Sequence, residues 1–243
     1  MSGMSRDGLP RADVPSAFDA HAPWYDRLTG ASPGYHRHLR LSAQRLGLPG
    51  DGDGLRLLDA GCGTGASTAA LVSVAPAARI TAFDASAAML DQARAKSWPG
   101  NVEFVHTPIE DMSGVRGPFD AVFAAYLVRN LADPDTQLRR LRNLLRPGGR
   151  IALHEYSVRD SRRALLVWNA VCAGVIIPLG RVTTGDATLY RHLRRSVLRF
   201  DGASALTARL TRAGFRDVRA ESVAGWQRGI VHTITGTAAR EEP

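Results

Sequence analysis

The sequence predicts an α/β fold: a mostly parallel sheet with helices on both faces and a C-terminal antiparallel hairpin. Three observations predict it. A buried apolar strand runs straight into a glycine turn, Leu57-Leu58-Asp59-Ala60-Gly61-Cys62-Gly63-Thr64-Gly65, which is the opening of a nucleotide-binding βαβ unit. Short apolar strands then alternate with helical patterns as far as Tyr156, and such alternation gives a parallel sheet with right-handed crossovers. Beyond Gly214 two alternating runs, Phe215–Val223 and Gly229–Gly236, read as a hairpin that closes the sheet.

In chain order, Ala17–Asp26 reads as helical and carries Trp24 and Tyr25, and Gly34–Leu46 as a helix with Leu39 and Leu46 toward the core. Strand one is Leu55–Ala60, followed by a helix over Ala66–Val74. Strand two, Arg79–Asp84, leads to a helix from Ser86 through Met89, Leu90 and Ala93. Strand three is Val102–His106 and strand four Phe119–Ala124. A helix spans Asp135–Leu145, Arg146-Pro147-Gly148-Gly149 makes a turn, and strand five is Arg150–Tyr156. Ala164–Gly180 is strongly apolar but interrupted by Asn169 and Pro178. It falls short of the about 20 apolar residues that span a bilayer, so a buried or groove-lining helix is expected. Arg159, Arg162, Arg163 and Arg181 flank it, which suits contact with a membrane interface. Asp186–Phe200 and Ala203–Ala213 are two further helices, the second stopped by Gly214.

The 243 residues, with 44% hydrophobic and 22% charged content, suit one globular domain over 16–243 with a helical lid or insert at about 160–200. Residues 1–15 are polar, rich in Pro and Gly, and read as a loose tail without the apolar core of a secretory signal. Cys62 and Cys172 lie far apart, so neither a disulfide framework nor a metal site is expected, and a reduced, cytoplasmic compartment follows. The net charge of +8 raises nucleic acid as a partner. Its arginines are scattered and no recognition motif accompanies them, so no nucleic-acid partner is expected. A solvated basic surface or a patch facing anionic lipid remains.

The acids around the glycine turn separate its ligands. Gly61-Cys62-Gly63-Thr64-Gly65-Ala66 fits a relaxed dinucleotide pattern. Asp59, immediately before it, would repel a pyrophosphate and suits a ligand with a cationic amino-acid end, such as S-adenosylmethionine (SAM). Asp84 ends the next strand about 20 residues on, where an acid takes ribose hydroxyls.

The motifs together resemble the class I SAM-dependent methyltransferases. Within these they resemble the UbiE-type C-methyltransferases of ubiquinone and menaquinone synthesis. The class likeness rests on Asp59–Gly65, on Asp84-Ala85-Ser86 with Met89-Leu90, and on Leu145-Arg146-Pro147-Gly148-Gly149-Arg150. The narrower likeness rests on Phe18, Ala22 and Tyr25-Asp26, on Arg129-Asn130, on Ile177-Pro178-Leu179-Gly180, and on Asp186 with Tyr190-Arg191-His192-Leu193 and Ser196. Leu127 stands where the family usually has Gly, and Pro108 where a polar residue usually contacts adenine.

The resemblance implies a Rossmann-like, seven-stranded fold, SAM as cofactor, and a hydrophobic aromatic acceptor, most simply a prenylated quinol of the demethylmenaquinone kind. An O- or N-methyltransferase for a small phenol or amine is the alternative. A monomer or homodimer in the cytoplasm, meeting the membrane peripherally, is expected. Tyr25, Asp59, Gly61, Cys62, Gly63, Thr64, Gly65, Asp84, Ala85, Met89, Pro108, Ile109 and Ala125 are the expected cofactor-binding residues. Met89 and Ile109 would flank adenine, and Tyr25 would close over the cofactor as part of a lid. Arg129 and Asn130 are expected to act on the acceptor. Arg129 stays protonated, so rather than take a proton it would either hold the phenolate directly or activate a water, with Asn130 orienting the ring oxygen. His154 and Glu155, at the end of strand five, are candidate bases.

Overall fold

The computed structural model describes Asp19, Asp26, Gly30 and residues 34–184 and 187–239. The 1–15 tail, Tyr25 and its neighbours Phe18, Ala22 and Trp24, and Asp186 lie outside the described residues.

The first five strands are β1 (Arg56–Ala60), β2 (Arg79–Asp84), β3 (Val102–His106), β4 (Phe119–Ala125) and β5 (Leu145–Tyr156). They pair in parallel. β6 (Phe215–Ser222) and β7 (Val231–Ala238) form the antiparallel hairpin. The seven-stranded order is β3-β2-β1-β4-β5-β7-β6, so β7 sits between β5 and β6 and pairs antiparallel with β5. This is the predicted Rossmann-like architecture.

Side chains alternate between the faces of a strand, and parallel sheets are covered on both. Leu58 therefore faces one core, with Phe83, Val122, Leu153 and Phe215. Leu57 faces the other, with Ile80, Phe123 and Ala152. Helices α1 (Tyr35–Gln44) and α2 (Ala66–Val74) close the second face through Leu39, Ala43 and Leu71. Leu90 of α3 (Ala87–Arg94) packs on Cys62 and Ala82.

On the first face, α4 (Pro134–Asn143) contributes Leu138 and Leu141. Its start is set by Asp133, whose carboxylate accepts from Thr136 N at 3.1 Å, with Pro134 in the first turn, where its missing N–H costs nothing.

Two expectations need correction. Strand five begins at Leu145, so Arg146-Pro147-Gly148-Gly149 lies inside β5. Phe119 pairs with Leu145 but Ala121 already pairs with Arg150; the extra residues bulge out, and a bulge tolerates Pro within a sheet.

The apolar segment is also longer than the sequence suggests. Helix α5 (Arg162–Val171), a π-turn (Cys172–Ile176) and α6 (Ile177–Thr184) run on continuously. Arg162–Val182 is 21 residues long and, by length and composition alone, could cross a membrane. Asn169 does not break the helix, because its side-chain oxygen accepts from Arg194 Nε at 3.0 Å and Nη2 at 2.6 Å. Pro178 follows Gly174 by four residues, so its ring meets the widened π-turn rather than a regular α-turn.

The π-turn has a second effect. Ala164, Trp168, Cys172, Ile176 and Gly180 form an inward stripe four residues apart, buried or half-buried. Four residues carry an α-helix about 40° past a full turn, so the stripe would wind off the domain. The wider π-turn rotates it back. Trp168 and Cys172 thereby stay packed with Val158, Val197 and Ile230. Helix α7 (Thr188–Arg199) covers the stripe, and a Cβ at Gly180 would run into the Tyr190 ring. Helix α8 (Ala203–Arg212) packs Leu206 and Leu210 into the first core.

Candidate active site

The expected site residues lie mainly along one edge, the carboxyl ends of β1, β2, β4 and β5. Gly61, Gly63 and Gly65 all have positive φ (71°, 53° and 91°), a conformation that costs glycine little. The turn is held from below: Phe83 O accepts from Gly61 N at 2.9 Å and from Cys62 N at 3.0 Å. Cys62 is buried, and burial pushes its thiol well up. It fills space under the turn.

Around Gly63 there is open space: a Cβ there would meet nothing within 4 Å. A Cβ at Gly65, by contrast, would come within 2.7 Å of the Trp98 ring. The two glycines thus differ: packing against Trp98 excludes a side chain at Gly65, whereas Gly63 borders open space and is held to glycine only by its positive φ. Gly63→Ala is expected to leave the fold standing, at a strain of about 1–2 kcal/mol, while weakening SAM binding. Chemical denaturation alongside equilibrium dialysis of SAM separates the two effects.

Asp59 is fully buried. Its Oδ2 accepts from Ser67 Oγ at 2.8 Å and Thr68 Oγ1 at 2.6 Å, both in the first turn of α2. Its Oδ1 is buried without a hydrogen-bond partner. Burial pushes the carboxyl up to about 7, against the two hydroxyls, which pull it down.

Asp84 is partly buried. Its two oxygens each accept one backbone N–H, from Gly63 at 2.8 Å and from Ser86 at 2.9 Å. Burial raises its pKa as well. The helix cap is Ser86, whose hydroxyl accepts from Met89 N at 3.1 Å, so Asp84 is not consumed in that role and keeps lone pairs for hydroxyl donors.

Met89 and Ile109 are both buried. Ile109 belongs to the core under β4 and β5. Pro108 is exposed and its carbonyl accepts from Asp111 N and Met112 N. Ala85 O is 3.1 Å from His106 Nε2, and Ala125, the last residue of β4, is half-buried.

Among the described residues of the N-terminal segment, Asp26 and Asp19 reach this edge. The Asp26 carboxylate accepts from Thr64 Oγ1 at 2.6 Å and pairs with Lys96 at 2.6 Å. Asp19 accepts from Ser86 Oγ.

Beyond β4 the chain turns sharply. Tyr126 has φ +57°, uncommon for a bulky residue. Its carbonyl accepts from Arg129 Nη1 at 2.9 Å and from Asn130 Nδ2 at 3.1 Å, which gathers the Arg-Asn pair. Arg129 Nη1 also forms an ion pair with Glu155 at 2.8 Å; the two side chains are 6% and 0% exposed. Burial pushes the Glu155 carboxyl up and the Arg129 guanidinium pulls against it.

Arg129 lies over the Tyr126 ring at 5.2 Å, within cation–π range. Tyr126 stacks between Tyr35 at 5.7 Å and Tyr156 at 4.6 Å, and Tyr156 meets Trp168 at 4.9 Å. Leu127 lies against Gly61, where an added Cβ would come within 2.9 Å of it, so the Arg-Asn segment abuts the glycine turn directly.

His154 takes a different place. It is fully buried, with Nδ1 2.6 Å from Ser42 Oγ and Nε2 2.9 Å from the Tyr126 hydroxyl. Ser42 continues to Thr233 at 2.6 Å, and Thr233 accepts from Arg45 at 2.7 Å. Burial lowers the imidazole to about 3. Both ring nitrogens are engaged within the protein, and His154 supports Tyr126 from behind. The sequence reading missed this chain and the three-tyrosine stack. The aromatic at the end of β4, next to Arg129-Asn130, was the one available signal.

The pieces fit SAM on the chain's own terms. There is a buried carboxylate oxygen without a partner, a glycine with open space where a Cβ would stand, and an acid with free lone pairs one strand away. The family model of the ubiE/COQ5 methyltransferase family matches residues 8–237. The chain belongs to this family. It is a SAM-dependent methyltransferase.

Among its relatives, the ubiquinone/menaquinone biosynthesis C-methyltransferase UbiE of Syntrophotalea carbinolica is 30% identical over 237 residues, covering 96% of this chain and 97% of that protein. The demethylmenaquinone methyltransferase of Clavibacter sepedonicus is 32% identical over 207 residues, covering 84% and 83%. The human N-acetylserotonin methyltransferase, solved in complex with SAM, superposes with a TM-score of 0.59 at 18% identity, over 95% of this chain and 57% of that one. That last likeness concerns the fold. For the methyltransferase, then, cofactor and reaction class follow from the family.

Proposed function

We propose that this methyltransferase places a methyl group on a ring carbon of a prenylated quinol, of the demethylmenaquinone kind. The observation that carries the reading is the buried Arg129–Glu155 pair, set beside the Tyr126–Tyr156 rings and one residue contact from the glycine turn. A flat aromatic acceptor suits a wall of stacked tyrosines. A ring that becomes a phenolate needs a fixed positive charge at its oxygen. The names of the relatives, quinone-biosynthesis C-methyltransferases, agree.

In this reading Asp59, Gly61–Gly65 and Asp84 hold SAM, with Met89 and Ile109 beside its adenine and Tyr25 over it. Bound there, SAM supplies an electrophilic methyl group. The chain's own groups then do three things. The phenolic proton passes to water; Arg129 stabilises the charge left on the oxygen, which makes the ortho carbon nucleophilic. Once the methyl group has left the sulfonium for that carbon, the ring carbon gives up its own proton to water and the ring regains its aromaticity. Asn130, tied to the Tyr126 carbonyl, orients the same oxygen. Glu155 fixes Arg129, and His154 fixes Tyr126; these two are positioning residues. The acceptor is lipid-borne, so the enzyme works from the cytoplasm at a membrane surface.

The test is an acceptor panel with labelled SAM: demethylmenaquinols with no, one, two and more prenyl units, beside tail-free phenols and amines. Methylation at ring carbon, read by NMR of the product and rising with tail length, is the expected result. A product methylated on oxygen or nitrogen, or a preference for tail-free acceptors, overturns the reading in favour of a small-metabolite methyltransferase.

A further inference from the structure

The outer face of the 162–184 helix carries a feature that the chemistry of the site does not use. Between Arg163 and Arg181 no residue is charged, a run of 17 residues or roughly 25 Å of helix. Its strongest polar side chain, Asn169, is taken up by Arg194. Facing away from the domain are Leu165, Leu166, Val175, Leu179 and Val182; Leu166 is 70% and Val182 84% exposed. Exposed apolar surface of this extent marks an interaction site. At both ends stand exposed arginines, Arg159, Arg162 and Arg163 before the run and Arg181 directly after it.

We propose that this face docks on an anionic lipid bilayer, with the helix lying in the interface plane and the arginines among the headgroups. The proposal deepens the quinol reading by naming how the enzyme meets its lipid-borne acceptor. The charge pattern selects lipid: an apolar strip closed off by cations at both ends matches an apolar layer under anionic headgroups. A spanning orientation is excluded by the inward stripe, because Ala164, Trp168 and Cys172 are packed in the domain's own core. The π-turn keeps inner and outer stripes apart along the whole helix, so one face holds the domain while the other stays free for lipid. Inside, Trp168 meets Tyr156, which stacks on Tyr126 beneath Arg129. The lipid-facing helix and the acceptor site are thus two sides of one packed unit.

The test is co-sedimentation of the full chain with vesicles of phosphatidylcholine alone or with 30 mol%, roughly, of phosphatidylglycerol, without acceptor. Binding to the anionic vesicles that weakens with salt is expected. Leu166→Gln with Val182→Gln keeps the charge and is expected to lower partitioning at least about tenfold, with SAM binding unchanged. Neutralising Arg162, Arg163 or Arg181 to Gln is expected to cost about fivefold each. Equal binding of the wild type and the Leu166/Val182 variant would assign the effect to diffuse positive charge and overturn the proposal. Absence of binding to either vesicle overturns it too. So does a wild-type dimer in solution that the same double variant makes monomeric, which would assign the face to a second copy. Vesicle binding is read without methyl transfer, so a wrong acceptor assignment leaves the result standing.

Discussion

Arg129→Ala is expected to lower turnover by at least about a hundredfold while SAM affinity shifts by less than about threefold. The guanidinium is one positive charge held still by the Glu155 carboxylate, the Tyr126 carbonyl and the Tyr126 and Tyr156 rings. A group so restrained needs no reorganisation when negative charge develops on the acceptor. The same variant leaves Glu155 buried alone, and breaking a buried pair from one side costs about 3–5 kcal/mol of stability. Loss of turnover could then reflect loss of fold. The double variant Arg129→Leu with Glu155→Leu separates the two, because replacing both charges by apolar groups is near neutral for stability. Unfolding free energy is expected to recover toward wild type while turnover stays low. Recovery of both would reduce the pair to a structural role, and loss of SAM binding in step with turnover would do the same. Stopped-flow or discontinuous turnover with calorimetric SAM titration, on both variants, gives the answer.

Asp59→Asn is expected to change how stability depends on pH. The wild-type carboxyl titrates near 7 in the folded chain and near 4 when unfolded. The folded state therefore binds this proton more tightly. Its contribution to stability is full below about pH 4 and is lost as pH rises to 7. His154 acts with the opposite sign. Its folded value is about 3 against about 6.5 unfolded, so its contribution is full above pH 6.5 and lost as pH falls toward 3. Over about pH 4.5–7 the two largely offset one another. Removing Asp59 exposes the histidine slope. Relative to wild type, D59N is expected to gain about 3 kcal/mol on going from pH 4.5 to pH 7, measured by urea unfolding of the ligand-free protein. On the proposed cofactor site, SAM affinity is expected to fall in the same variant, since the unpartnered Oδ1 is gone as a carboxylate. A wild type and variant with parallel pH profiles would show that Asp59 titrates normally.

The strand–helix alternation was legible because both periods are local, and β2, β3 and α2 have the bounds that their residues suggest. The glycine turn was legible for a different reason: Gly61, Gly63 and Gly65 all take the conformation that makes glycine informative. What was hidden depended on distant partners. Ser42 and Thr233 flank His154 in space but come from α1 and β7, so imidazole burial could not be seen from its neighbours. Pro178 and Pro147 read locally as breakers. A π-turn absorbs the first and a bulge the second, and both are settled by what packs around them. Ser67 and Thr68, by contrast, stood in plain view after the turn; their role appears only once α2 folds back over Asp59.

The position of β7 between β5 and β6 bears on synthesis. β1 to β5 can pair as they emerge from the ribosome, each beside a strand already made, so the cofactor side of the sheet can form early. β5 cannot. Its free edge, carrying the backbone of His154 and Glu155, waits for Val231–Ala238, the last of the seven described strands in chain order. Until then a long, apolar strand edge stands open, the kind that recruits foreign strands. On the proposed reading, the side of the sheet that meets the acceptor is therefore the side whose strand edge stays open longest in a growing chain.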